Sequence, residues 1–81
     1  MTLNQLKEEI LEVIQESTDT EVELNEDTHI LNDMGLSSIE TMMLISDLDQ
    51  HFGINIPTAR LRNVRTVGDL TQIVIETLST P

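Results

Sequence analysis

Asp33-Met34-Gly35-Leu36-Ser37-Ser38-Ile39-Glu40 runs straight into Thr41-Met42-Met43-Leu44-Ile45-Ser46-Asp47-Leu48-Asp49-Gln50-His51-Phe52-Gly53. The stretch reads as a glycine turn, a cap and a helix. Ile39, Met42, Ile45, Leu48 and Phe52 recur at helical spacing, with Leu44 beside them, which predicts a helix over 38–52. Gly53 is its stop. Ser37, followed by Glu40, forms a capping box at its start. That bland role accounts for Ser37. It leaves Ser38 at the first helical position with a hydroxyl not committed to the backbone. The amino end of a helix favours an attached phosphate through free N–H groups and the dipole.

Upstream, residues 17–36 carry no helical period. Ser17 to Thr20 are read as helix breakers, and a long polar connection follows. Its anchors onto the core are expected to be Val22, Leu24, Ile30, Leu31 and Met34. A loop of this length in a small domain is often functional. Before it, Leu3, Leu6, Ile10, Val13 and Ile14 mark an amphipathic helix over 3–16, and Thr2 with Gln5 forms another capping box. After Gly53, Ile54-Asn55-Ile56 is a short apolar link. Pro57 opens a brief helical turn to about Leu61. A last helix runs from about Thr66 to Leu78 on Val67, Leu70, Ile73, Val74, Ile75 and Leu78. Thr66 and Asp69 cap its start, and Pro81 ends a frayed tail. These elements make an all-α fold, a small four-helix bundle of three long helices and one short, in one domain over 1–81.

Composition narrows the function. The chain has 81 residues, 4 basic and 15 acidic side chains, and a formal charge of −11. Such a surface repels nucleic acid and anionic lipid and attracts basic partners. Patterned apolar residues argue against disorder. No apolar run is long enough to span a membrane. Lys7, Glu8 and Glu9 fall where a signal peptide needs an unbroken apolar stretch, so a cytoplasmic monomer is expected. There are no cysteines, which excludes disulfides and thiolate metal sites, so any thiol chemistry must use an imported sulfur. Phe52 is the sole aromatic ring. A core of Leu, Ile, Val and Met deforms more readily than one locked by rings.

Catalysis is not expected. Ser38 has no nearby His or Lys to act as base and no nucleophile elbow, so its activation must come from another enzyme. Asp47-Leu48-Asp49-Gln50-His51 resembles a calcium loop but lacks the glycine, and Thr58 stands where a bidentate Glu is required. Those acids read as a solvated face or part of a partner surface. His29 and His51 have no metal-ligand spacing. Arg60, Arg62 and Arg65 read as a local offset to acidic repulsion. Met42 is expected in the core and Met43 at the surface.

Gly35-Leu36-Ser37-Ser38-Ile39-Glu40-Thr41 resembles the Gly-x-Asp-Ser-Leu-(acidic)-x signature of acyl carrier proteins. Leu48-Asp49-Gln50-His51-Phe52-Gly53 is similar to the end of that family's second helix. Ile54-Asn55-Ile56-Pro57 resembles its entry to the third, and Thr66-Val67-Gly68-Asp69-Leu70 the start of its fourth. The resemblance covers nearly the whole chain. It implies a 4′-phosphopantetheine arm on Ser38, transferred from coenzyme A by a phosphopantetheinyl transferase with Mg²⁺. Acyl groups would be held as thioesters on the arm's thiol, which would account for the missing cysteine. Leu36, Ser37, Ile39, Glu40, Met43 and Asp47 would form the recognition surface for acyl-transferring or synthase enzymes with basic docking surfaces. Fatty acid, polyketide and related lipid synthesis are the pathways implied. The sequence departs from the pattern at Ser37, where relatives usually have Asp, and at Met43, where many are acidic. Those departures fit a specialised pathway, including an aminoacyl or peptidyl carrier. Ser37 stays open as the modified residue, although spacing to Ile39 favours Ser38. The rival reading is an unmodified acidic interaction module with the same fold.

Overall fold

A computed structural model describes residues 2–79. Pro81, expected in a frayed tail, lies outside them. The order is α1 (Leu3–Thr18), α2 (Ser38–Phe52), a 3-10 helix (Thr58–Asn63) and α3 (Val67–Ser79). Among the described residues there is no strand, only an isolated antiparallel bridge between His29 and Thr66.

Each α-helix starts where local chemistry satisfies its free N–H groups. For α1, Thr2 Oγ1 accepts from Gln5 N at 3.1 Å and Gln5 Oε1 accepts from Thr2 N at 2.8 Å. The helix runs beyond its expected end, through Ser17 and Thr18, where Thr18 Oγ1 donates to Ile14 O at 2.7 Å. Asp19 then takes the left-handed conformation (φ 49°), which short polar side chains tolerate. At the end of α2, Gly53 adopts φ 65° and its N–H closes on Asp49 O. Asp49 is more than a solvated acid here, since its Oδ1 accepts from Ile56 N at 3.0 Å. That bond stitches the next link to α2.

Ile10, Val13 and Ile14 of α1 meet Leu44, Ile45 and Leu48 of α2 and Val67, Leu70, Ile73 and Val74 of α3 in one buried cluster. Phe52 packs against this cluster, only partly buried, with its ring edge-on to His51 at 4.8 Å. Two apolar side chains from the helical stripes point outward instead, Leu3 at 56% exposure and Met42, expected in the core, at 49%; Ile39, expected on the recognition surface, is exposed. The buried stripe of α2 runs through Leu44, Ile45 and Leu48. Apolar residues lie on both sides of this helix, so spacing alone could not choose the inner one.

The connection from 20 to 37 is tied to the start of α3. Ile30 N donates to Arg65 O at 3.0 Å, Val67 N to Thr28 O at 2.9 Å and Gly68 N to Glu26 O at 3.0 Å. The loop thus accepts from the free N–H groups at the amino end of α3. Buried Thr28 holds its own turn by accepting from Asn25 N and donating to Glu23 O. Ile30 is buried and Leu24 and Met34 are partly buried, but Val22 and Leu31 are exposed and anchor nothing. Backbone bonding does the work expected of those two side chains.

Gly68 is where this clasp closes. A Cβ there would stand 2.8 Å from Glu26 O, a backbone atom. Gly68→Ala should therefore lower stability by about 1–3 kcal/mol. At an open helix position the same change would raise stability by about 1 kcal/mol. A rise in the urea midpoint would contradict the clasp.

The α3 cap also predicts a pH effect. Asp69 Oδ2 accepts from Arg65 N at 3.0 Å and from Thr66 N at 3.1 Å, and Thr66 Oγ1 accepts from Asp69 N at 3.1 Å. The Arg65 N–H first, then that of Thr66, hold the Asp69 carboxyl below its usual range. A depressed carboxylate stabilises the fold above its unfolded pKa, and that contribution disappears as pH falls through the folded value. Urea midpoints of wild type and Asp69→Asn should differ at neutral pH and converge as pH falls below the ordinary aspartate range. A difference that stays constant through that fall would remove Asp69 as the cause.

Candidate functional site

The loop closes onto α2 through a compact turn. His29 O accepts from Asp33 N and Met34 N, and Asp33 Oδ2 accepts from His29 N at 2.7 Å. Gly35 takes φ 69°, a backbone state open to glycine at little cost. Leu36 N donates to Ile30 O at 3.2 Å, and the Leu36 side chain is buried. This pins the chain one residue before the helix cap.

Ser37 is that cap. Its Oγ accepts from Glu40 N at 3.2 Å, and its own N–H donates to Glu40 Oε1 at 3.2 Å. Its carbonyl accepts from both the N–H and the hydroxyl of Thr41, each at 2.9 Å. Ser37 is thereby engaged on all sides. Ser38 is the first helical residue and is exposed. Among the described residues its hydroxyl has no hydrogen-bond partner. The site is a free hydroxyl at a helix amino end, where the dipole favours an attached anion.

Two hollows flank that hydroxyl. A half-open groove of about 520 Å³ lies between the loop, the first turns of α2 and the end of the 3-10 helix. Ile30, Leu36, Leu61 and Val64 give it an apolar floor, and His29, Asn32 and Arg65 add polar groups. His29 Nδ1 is buried there with no hydrogen-bond partner among the described residues. On the outer side of α2 a shallower, almost wholly apolar hollow of about 350 Å³ is lined by Ile39, Met42, Met43 and Ser46. Ser38 and Met42 border both.

The residues expected at the site separate by position. Ser37, Ser38, Ile39, Glu40, Met43 and Asp47 are all exposed on the first three turns of α2. Leu36, expected on the recognition surface, is only 6% exposed and supports the loop from beneath. Met42, expected in the core, is 49% exposed because α2 turns its Leu44–Ile45 side toward α1. His51 is exposed and reaches Glu9 on α1 at 2.9 Å, so it joins two helices. Arg60 pairs with Glu76, whose carboxyl is held low first by that arginine and then by Gln72. That pairing fits the expected offset of acidic repulsion. Sequence reasoning missed His29 and Asn32 at the groove. Their only signal was nearness to the glycine turn.

The family described as "Phosphopantetheine attachment site" matches residues 5–74. A probable acyl carrier protein of Caulobacter vibrioides (strain NA1000 / CB15N) is 38% identical over 53 residues. That match takes in 65% of this chain and 62% of the relative's length. Among solved structures, Rv0033 from Mycobacterium tuberculosis, assigned as an acyl carrier protein, superposes with a TM-score of 0.80 at 28% identity. It covers 88% of this chain and 96% of its own. The solution structure of the holo acyl carrier protein from Geobacter metallireducens gives 0.75 at 25% identity, covering 96% and 86% respectively.

The chain belongs to the phosphopantetheine-attachment family. The group attached at such a domain is 4′-phosphopantetheine, and the acyl carrier proteins that the chain resembles are carriers, not catalysts. The residues present fit that group. They supply a free, exposed hydroxyl at a helix amino end and a groove beside it. Among the described residues no helix is long and apolar enough to cross a membrane.

Proposed function

We propose that Ser38 is the attachment residue, and that the chain is one carrier unit over residues 1–81 presenting acyl thioesters to enzymes of fatty acid, polyketide or related lipid synthesis. The observation that carries this reading is the division of labour between the two serines. Ser37 is spent on the capping box, and Ser38 is exposed and unbonded. In loading, the Ser38 hydroxyl gives its proton to a base of the transferase and its oxygen forms a bond to phosphorus. The phosphoanhydride of coenzyme A breaks, and adenosine bisphosphate leaves. The Ser38 end of α2 then holds the phosphodiester against the helix dipole. The thiol at the far end of the arm supplies the thioester chemistry that this cysteine-free chain lacks.

Partner enzymes would meet the exposed side of α2 through Ser37, Ile39, Glu40, Met43 and Asp47. The net charge of −11 favours partners that are basic around that contact, in the cytoplasm. The test is the intact mass after incubation with coenzyme A, Mg²⁺ and a broad-specificity phosphopantetheinyl transferase. A gain of one phosphopantetheine on wild type, absent from Ser38→Ala, is expected. A folded wild-type chain that gains no mass would overturn the reading in favour of an unmodified interaction module.

A further inference from the structure

His29 is tied down along its backbone. Its N–H donates to Asp33 Oδ2, its carbonyl accepts from Asp33 N and Met34 N, and it pairs with Thr66 in the isolated bridge. The ring is therefore carried on a fixed segment at the wall of the groove beside Ser38. Its Nδ1 is buried, and among the described residues it has no hydrogen-bond partner. An unpaired buried nitrogen is costly, so it calls for a partner from outside the folded chain.

The rest of the lining narrows what that partner is. Ile30, Leu36, Leu61 and Val64 form an apolar floor, and Ser38 borders it. Among the described residues that line the groove there is a cation, Arg65, and no carboxylate, in a chain with 15 acidic side chains. The groove suits a ligand that carries an anion, is apolar along most of its length and bears hydrogen-bonding groups. Phosphopantetheine has that make-up: a phosphodiester, then methyl and methylene carbons interrupted by a hydroxyl and two amides. A plain acyl chain does not, because its methylenes would leave Nδ1 unpaired. The volume of about 520 Å³ is in the range of small-ligand pockets.

We infer that the arm on Ser38 rests in this groove with one of its hydroxyl or amide groups hydrogen-bonded to His29 Nδ1, and that the cargo beyond the thiol stays outside the helical core. The inference rests on the reading of Ser38 as the attachment residue and deepens it by giving the loaded form a resting state. His29 is a positioning residue in that state. A partner enzyme lifts the arm out, and the buried cluster around Leu44, Leu48 and Val74 stays closed throughout.

The experiment loads the isotope-labelled chain with coenzyme A and the transferase and checks attachment by intact mass. The arm's methyl protons should show nuclear Overhauser contacts to the His29 ring and to the methyls of Leu61 and Val64, and the His29 Nδ1 resonance should move on loading. His29→Phe keeps a ring without the nitrogen and should weaken the contacts to Leu61 and Val64 about fivefold. His29→Asn places an amide near the position of Nδ1 and should restore them. Without the arm, His29→Phe should not lower the urea midpoint, since it removes an unpaired polar group. Loading should raise the midpoint of wild type and His29→Asn more than that of His29→Phe. An octanoyl cargo on the arm should show no contact with the methyls of Leu48 or Val74.

Arm protons as mobile in the loaded chain as in free pantetheine would overturn the inference. So would contacts unchanged in His29→Phe, or octanoyl contacts with Leu48 or Val74. A wild-type chain that gains no mass counts against the Ser38 reading separately. The groove is then tested on Ser38→Cys, whose thiol is unique in this cysteine-free chain. Alkylation with 4′-O-iodoacetyl N-ethylpantothenamide forms a carbon–sulfur bond, releases iodide and places the arm at position 38 with no transferase involved. Contacts from its methyls to His29, Leu61 and Val64 support the groove, and their absence overturns it.

Discussion

Ser38→Ala gives a folded protein that gains no phosphopantetheine, and Ser37→Ala gives a less stable protein that is still loaded. The two serines are adjacent and chemically identical, so only their backbone roles separate them. Ser37 takes extended backbone (φ −73°, ψ 172°) and caps Glu40 N. Removing such a cap costs about 1 kcal/mol. Ser38 is exposed at the first helical position, where alanine is a good helix former, so stability should change by less than about 0.5 kcal/mol. Intact mass and urea midpoints, measured together on both variants, give opposite signatures. Loading that survives Ser38→Ala and disappears in Ser37→Ala would transfer the attachment to Ser37.

Leu48→Ala should be the most damaging truncation on α2, lowering stability by about 3 kcal/mol. Leu48 has no exposed surface and lies where α1, α2 and α3 meet. Its removal forfeits apolar burial and leaves a cavity that helices pinned by caps at their ends cannot fully close. A small domain has a total stability of only about 5–10 kcal/mol, so a large share is lost. Met43→Ala, on the outward side of the same helix, should cost less than about 0.5 kcal/mol. Urea unfolding with an unchanged slope would read both directly. Equal effects at the two positions would mean that α2 is turned the other way about its axis.

That contrast marks where sequence reading ran out. Both capping boxes were legible, at Thr2–Gln5 and Ser37–Glu40, because each joins residues three apart in the chain. The stop at Gly53 was legible for the same reason. The inner face of α2 was not. Ile39 and Met42 continue the apolar spacing of Ile45 and Leu48, and nothing local tells a chain pressed against α1 from one left for a partner. Leu31 and Val22 were misread as anchors because hydrophobicity was the only visible signal, whereas the loop is held by its backbone. Asp49 and Gly68 hid their roles in the same way. Each acts on an atom supplied by another segment, Ile56 N for the first and Glu26 O for the second.

The sequence by itself determined the helices, their caps, the placement of Ser38 at a helix start and the acidic, cysteine-free character that makes an imported thiol necessary. These depend on neighbours within one or two turns and on composition, both of which a linear chain displays. Tertiary structure alone decided which side of α2 faces inward, how the long loop is clasped to the start of α3, and that a groove and an apolar strip meet at Ser38. Those outcomes depend on pairs of atoms far apart in the chain, whose distance is set only when the helices pack and the free groups at their ends find partners.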